Sequence, residues 1–534
     1  MTGLLDLPNE LLVVICSSEA MFSEDLFRLA LVCHRLHPIA LHAFFALTTV
    51  GFGVESRSLT VQMLTSGPDA LSGLCAALFP LPPIEELFIA LPRVLSPTQI
   101  VYTGWNETKY LPMHLRRIEA FFKRFIGRAA LKMVKIQLDE YRTDMWSGAS
   151  ESARADAAQH FKSCFNAVLG AGCETLAVHN GGFYLGSTPV PPAEPQVHER
   201  ESAGVANIGT KLRRLFRTRQ SKDNKSKDKI DKPQSSSLPT NSRLVSFDIG
   251  SNVLLSPEMV DWTTGVLRSS PITHLVFSAM TCGSTFYRLL QIAVARPGIT
   301  SFSLRDAEFM TEFDHIPVAL DCYTKLVHLS ISGRHIYLNI PPHFHLFLPY
   351  LETIRAPPLF IIGLLSRRSP WQIPRLKAVY VSWSKNIHDA GSGLEHMYDL
   401  RVLAASVSEV TNLLDQHKLR PIIGIKTEGA LWQQDTSSQF TFEDLSPELQ
   451  SILKRVSALE ISLFMMPGDL DFIQHWTRLF PSAKQAKIEL GDRFFDSEWN
   501  VSVEHLGREI RRRTQLEKVE LNGKHFNFSR LAKE

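Results

Sequence analysis

One short apolar phrase recurs along most of this chain, and it limits the possible folds more than any other feature. The phrase is apolar-x-x-apolar-x-apolar. It occurs at Ile84/Leu87/Ile89, Leu131/Val134/Ile136, Cys173/Leu176/Val178, Leu244/Phe247/Ile249, Ile272/Leu275/Phe277, Ile299/Phe302/Leu304 and Leu326/Leu329/Ile331. Further copies are Leu376/Val379/Val381, Val456/Leu459/Ile461, Ala483/Ala486/Ile488 and Leu516/Val519/Leu521, with degenerate ones at Leu351/Ile354 and Leu400/Leu403. The copies that begin at 244, 272, 299, 326, 351, 376 and 400 lie 24 to 28 residues apart. The alternation at the end of the phrase marks a strand with one buried face. A steady period in the 20–50 range marks stacked units, none of which can bury its apolar face alone.

Helix-like stretches separate the strands. Tyr287 to Ala295 is one, and Arg296-Pro297-Gly298 ends it because Pro and Gly do not readily extend a helix. One strand and one helix per unit predict an α/β fold. Period and content together resemble a degenerate leucine-rich repeat. The resemblance implies a solenoid with parallel strands on its concave side and helices on its convex side. The regular Asn of that family is missing, apart from Asn522. An irregular solenoid, or an ordinary α/β sheet in the middle of the chain, stays open. Residues that alternate with the apolar ones are expected on the concave face: Val276, Ser278, Ser303, Arg305, Ser330, Ser332, Tyr380, Ser382, Glu460, Lys487 and Glu520. Such faces commonly bind protein, so Ser303, Arg305, Ser330, Ser332, Tyr380 and Ser382 are the candidate substrate contacts.

The first fifty residues read differently. Leu7-Pro8-Asn9-Glu10-Leu11-Leu12-Val13-Val14-Ile15 opens a helix, with Leu7, Leu11 and Ile15 in one apolar stripe. Ser23-Glu24-Asp25 suits a second helix start, a capping serine followed by two acids in the first turn. Its stripe is Leu26, Leu29, Ala30, Val32, Cys33 and Leu36, and Pro38 is expected to open a third short helix. A unit of about 50 residues seldom folds stably alone. These phrases, ending in Leu31-Val32-Cys33-His34-Arg35-Leu36, resemble the F-box over about residues 5–47. The resemblance implies docking on a Skp-type adaptor of a cullin–RING ubiquitin ligase. It assigns Leu7, Pro8, Leu11, Leu12, Ile15, Leu29, Val32 and Leu36 to the small core or to the adaptor contact. The span between Ile15 and Leu26 is slightly long, with Met21 or Phe22 where the family has leucine.

From about 186 to 242 the apolar pattern stops, and Pro, Ser and charged residues cannot bury enough surface to fold. Residues 211–232 carry ten Lys or Arg against three Asp, a local +7 in a chain of net charge +3. Lys211-Leu212-Arg213-Arg214-Leu215-Phe216-Arg217 could fold as a short amphipathic helix on contact, and Arg213, Arg214, Arg217 and Arg219 are the candidate residues of the basic linker. Nuclear import, anionic lipid, nucleic acid and an inert solvated loop are all open readings. An arm this short has no structured readout of bases, so specific nucleic acid binding is not expected. The expected organisation is 1–50 helical head, 51–185 first part of the repeat domain, 186–242 basic linker and 243–534 main repeat domain.

Seven cysteines at low density, none in a Cys-x-x-Cys pair, read as reduced thiols. The start has no secretory pattern, and no apolar run nears ~18 residues, so a cytoplasmic or nuclear protein is expected. His-Glu-x-x-His, Gly-x-Ser-x-Gly, P-loop and Gly-x-Gly-x-x-Gly are all absent from the sequence. His343 and His345 have no evident third metal ligand. No cofactor, metal or catalytic residue is expected. The chain reads as a non-catalytic substrate-recognition subunit of a ubiquitin ligase. The alternatives are a repeat scaffold with no ligase role, and a hydrolase or transferase on an irregular α/β fold.

Overall fold

The computed structural model describes residues 6–48, 57–64, 67–78, 84–91, 107–125, 131–138, 150–180, 242–278, 298–305, 320, 323–332, 347–366, 373–383, 400–428, 442, 446–463, 469–490, 503–521 and 523–528. Three helices come first: α1 (Asn9–Cys16), α2 (Ser23–Val32) and α3 (Leu36–Thr48). Then follow β1 (Ser58–Gln62), α4 (Ala70–Ala76), β2 (Glu86–Ala90), α5 (Glu107–Phe125), β3 (Met133–Gln137), α6 (Glu151–Gly170), β4 (Thr175–His179), β5 (Ser246–Gly250), α7 (Val260–Ser269) and β6 (His274–Ser278). The chain continues with β7 (Ser301–Arg305), β8 (His328–Ile331), β9 (Thr353–Ala356), α8 (Pro358–Leu365), β10 (Ala378–Trp383), α9 (Leu400–Gln416) and β11 (Ile422–Glu428). It ends with α10 (Pro447–Leu453), β12 (Ala458–Leu463), α11 (Asp469–Leu479), β13 (Gln485–Leu490), α12 (Val503–Arg513), β14 (Lys518–Leu521) and β15 (Lys524–Asn527).

All fifteen strands belong to one sheet, and their order in space is their order in the chain. Each strand pairs in parallel with the next until β15, which turns back at Gly523 (φ +81) and pairs antiparallel with β14. Sequential parallel order is compatible with a solenoid. β4 pairs directly with β5, Leu176 opposite Phe247, so the sheet runs unbroken past the long intervening segment.

The apolar phrase explains this stack. Each non-degenerate copy places all three of its apolar residues in the core, from Ile84, Leu87 and Ile89 to Leu516, Val519 and Leu521. Parallel register then lines them up: Val134 beside Leu176, Leu176 beside Phe247, Phe247 beside Leu275. A fully buried aliphatic side chain contributes ~1.5–3 kcal/mol relative to exposure, so the aligned rows are the main adhesive between units.

One expectation fails, and two strands lie outside the pattern. Leu400/Leu403 is not a strand: these residues begin α9, where Leu403 is buried on a helix face. The strand after β10 is β11, and Ile423 pairs with Val379, 44 residues earlier. Arg420 stands where the phrase needs its first apolar residue, which hides β11 from the pattern. β11 also shifts the register. Val381 pairs with Ile425, and Ile425 with Leu459, so the middle residue of one phrase meets the last residue of the previous one. The extra row this opens is filled on β11 by Thr427, fully buried beside Ile461. β1 was hidden similarly, since Ser56 precedes the buried pair Leu59 and Val61. The helix Tyr287–Ala295 lies outside the described residues.

Candidate functional site

The three N-terminal helices form a head. Leu12 and Cys16 of α1, Leu26 and Ala30 of α2, and Leu36, Ala40, Leu41, Phe44 and Phe45 of α3 are buried. The Phe27 ring lies 5.5 Å from that of Phe44. Two contacts seat the head on the first strand–helix unit. Gly73 of α4 lies so close that an added Cβ would be 2.7 Å from both the Phe44 and Phe45 rings. His37 is buried between the parts: its Nδ1 lies 2.8 Å from the Ala30 carbonyl, and its Nε2 accepts the Leu78 N–H at 3.1 Å. Nδ1 therefore carries the ring proton in the neutral tautomer.

Seating one side leaves another uncovered. Leu11 (49% exposed), Val14 (66%), Phe22 (74%), Leu31 (60%) and Val32 (65%) stay open to solvent. Leu11, Val14 and Ile15 are three and four residues apart and share one face of α1. Scattered apolar residues on a surface are ordinary, but an apolar face of this density marks an interaction site. Arg35, in the corner between α2 and α3, holds the start of α1, donating from Nε to Asn9 Oδ1 at 3.0 Å and from Nη2 to the Leu7 carbonyl at 2.5 Å.

The eight residues singled out from sequence divide accordingly. Pro8, Leu11, Ile15 and Val32 are exposed, Leu7 and Leu29 are half-buried, and Leu12 and Leu36 are core. The expected inward stripe Leu7/Leu11/Ile15 is corrected: Leu12 and Cys16 face α3, and Leu11 and Ile15 face solvent. Both sets repeat every four residues, so spacing alone does not choose between them. Ser23 is not the cap of α2; Phe22 precedes the helix, with no side-chain cap bond. The third helix begins at Leu36, two residues before Pro38.

The second candidate surface is the polar face of the sheet. Asp248 on β5 accepts from Ser278 Oγ at 3.0 Å and pairs with His179 Nε2 at 2.8 Å. Gly250 makes room, since a Cβ there would meet Ser278 Oγ at 2.6 Å and the His179 ring at 2.7 Å. Burial by itself pushes the Asp248 carboxyl up, but His179, the nearby Arg305 and Ser278 outweigh it and hold the carboxyl below its ordinary range. Histidine and serine both bond to the carboxylate and not to each other, so this is not a nucleophile–base arrangement. Four strands on, Arg355 of β9 reaches past β10 and β11 to grip Glu460 of β12, with Nε–Oε distances of 2.8 and 2.6 Å. Its guanidinium lies 4.8 Å from the centre of the Tyr380 ring, and that ring lies on Gly424, where a Cβ would be 2.4 Å from Tyr380 Cδ1.

Of the six expected substrate contacts, Arg305 is exposed and Ser330, Tyr380 and Ser382 are half-buried. Ser303 and Ser332 are buried, at 5% and 4% exposure, and Ser303 accepts from Arg305 Nε at 3.2 Å. The alternation pointed to Tyr380 and Glu460, but Arg355, Gly424, Asp248 and His179 were missed because the register that joins them is not in the sequence. The basic residues Arg213, Arg214, Arg217 and Arg219, and His343 and His345, lie outside the described residues. Among the described residues, no group of three or more His, Cys, Asp or Glu is placed to hold a metal ion, and no helix is long and apolar enough to cross a membrane.

No protein-family model matches the chain, and no curated protein matches it.

Proposed function

We propose that this protein is a non-catalytic substrate-recognition subunit of a cullin–RING ubiquitin ligase. On this reading the head is an F-box that docks on a Skp-type adaptor, and the sheet is a leucine-rich-repeat-like solenoid whose concave polar face holds a substrate protein. Other subunits supply the chemistry, and this chain contributes proximity. It works in the cytoplasm or nucleus, where such ligases act.

The observation that carries the reading is the uncovered apolar face of α1 and α2 on a head that is otherwise packed against the body. A chain that only had to fold would gain by burying Leu11, Val14, Leu31 and Val32. Leaving them exposed is favourable where a second polypeptide covers them.

Capture by purified Skp-type adaptor, with a cullin read out in the same eluate, tests the reading. Wild-type protein is expected to bring down both. The double variant L7A/P8A is expected to lose the adaptor while the sheet stays folded by circular dichroism. A repeat scaffold with no ligase role would bring down other proteins but no cullin, and that result overturns the proposal.

A further inference from the structure

We propose that the edge of the sheet where α9–α12 end and β11–β14 begin is a docking surface for an acidic protein segment. In each of these units a helix ends five or six residues before its strand begins, so helix C-termini and strand N-termini share one edge. Backbone bonds string the strand starts along it: Ser457 N–H to Ile423, Lys484 N–H to Ser457 and Glu517 N–H to Lys484.

The last helical residues and the connections that follow them, 415–422, 453–458, 478–485 and 508–518, hold eleven Lys or Arg against three Asp or Glu, a net +8. Cations at helix C-termini have an ordinary reason, because each terminus carries about −0.5 of a charge. Four termini account for about −2, so most of the excess is not dipole compensation. Nor do local carboxylates absorb it. Asp415 pairs with Arg420 and Arg455, Glu509 with Arg512 and Arg513, and Glu517 with Lys484. Lys418, Arg478, Arg508 and Lys518 are exposed and have no carboxylate partner among the described residues. Lys454 and Arg511 are exposed too, over the rings of Phe442 and Phe528.

The polar face of the same strands behaves oppositely. Arg355 is spent on Glu460, and Lys487 lies 2.8 Å from Glu489 and 4.0 Å from Glu520. Uncompensated charge therefore sits at the edge, and an anionic partner would be drawn there. Protein fits better than the other polyanions. Phosphates favour the N–H groups of helix N-termini, while this edge presents C-termini. Single-stranded nucleic acid needs open aromatic platforms, and the two rings here are covered by cations. Of the large apolar side chains on these segments, Ile422 is the exposed one, which is little to insert into a membrane. The four strand starts lie on directly paired strands ~4.8 Å apart, so an extended segment of about five residues at ~3.3 Å each reaches along all of them. That this segment belongs to a ubiquitination substrate rests on the adaptor reading; the binding itself does not.

The test uses full-length protein and a fluorescein-labelled peptide of about twenty residues, half of them glutamate. Anisotropy should show binding that weakens about tenfold or more between 50 and 250 mM NaCl, because exposed charges are screened over that range. The triple variant R508E/R511E/K518E should weaken binding by at least about tenfold, with an unchanged melting curve. The variant K162E, a single charge reversal on α6, should bind like wild type, whereas the single reversal R508E should already weaken binding. Absence of binding by wild type, or equal binding by the triple variant, overturns the proposal. So does tighter binding of a labelled RNA or of phosphatidylserine vesicles at the same salt. Adaptor capture run in parallel separates the two readings. Captured adaptor without peptide binding sinks only the edge site; salt-sensitive peptide binding without captured adaptor sinks only the ligase assignment.

Discussion

Replacing Leu11, Val14 and Ile15 together by serine separates a docking face from a packing face. In the free chain these side chains are 49%, 66% and 38% exposed. Complete burial of an aliphatic side chain is worth ~1.5–3 kcal/mol, so covering the fractions still open would contribute ~2–5 kcal/mol in all. Losing that weakens adaptor binding by roughly thirtyfold to several thousandfold, and coverage of only half the area still leaves about a fivefold loss. Stability should barely move, because surface substitutions usually stay within about ±0.5 kcal/mol. L12A is the mirror control: Leu12 is 1% exposed against α3, and its truncation should cost ~2–5 kcal/mol of stability. Titration calorimetry against the Skp-type adaptor gives the first number, and thermal unfolding gives the second. Wild-type affinity in the triple serine variant would refute the docking face. A melting point lowered as far as that of L12A would show instead that these residues hold the head together.

G73V drives a side chain into the Phe44 and Phe45 rings, so the head–body joint should lose ~1–3 kcal/mol, read as a lowered urea midpoint. E460A removes the carboxylate that grips Arg355 across three strand spacings; urea denaturation should show a loss of ~1–3 kcal/mol, moderated by the partial exposure of the arginine. His114 is buried, and desolvation first, then Arg117, lower its pKa from the ordinary 6.5 to about 4. Its unfolded form therefore binds more protons between about pH 4 and 6.5, so the folded state loses stability as pH falls through that window and keeps it above. The loss should total ~2–4 kcal/mol in urea titrations between pH 4 and 7, and H114Q should flatten the slope over that window. Removing the acid that His179 and Ser278 share, D248N, should cost stability at neutral pH but little below the lowered pKa of this carboxyl, where the wild-type carboxylate is itself neutralised.

The strands were legible because their information is local. Which face of a strand is buried depends on alternation over five or six residues, and eleven complete phrases carry it without reference to neighbours. Leu400/Leu403 shows the limit. Two leucines three residues apart fit one turn of a helix as well as half a strand phrase, and the structure makes them the start of α9. The head shows the same limit in another form. Leu11/Ile15 and Leu12/Cys16 are equally good four-residue stripes, and only the position of α3 decides which pair is inside.

The sequence by itself determined that this chain stacks strand–helix units behind a small helical head, since a recurring apolar phrase can be satisfied only by copies of itself. Tertiary structure alone decided which residues meet. The two-residue register shift between β11 and β12 leaves Glu460 two residues beyond the Arg355–Tyr380–Gly424 row, and the Arg355 side chain closes that offset across 105 residues of chain, while four separate connections gather one basic edge. The physical reason is that periodicity sets the face a side chain points to, while its partners are set by how neighbouring units slide and stack.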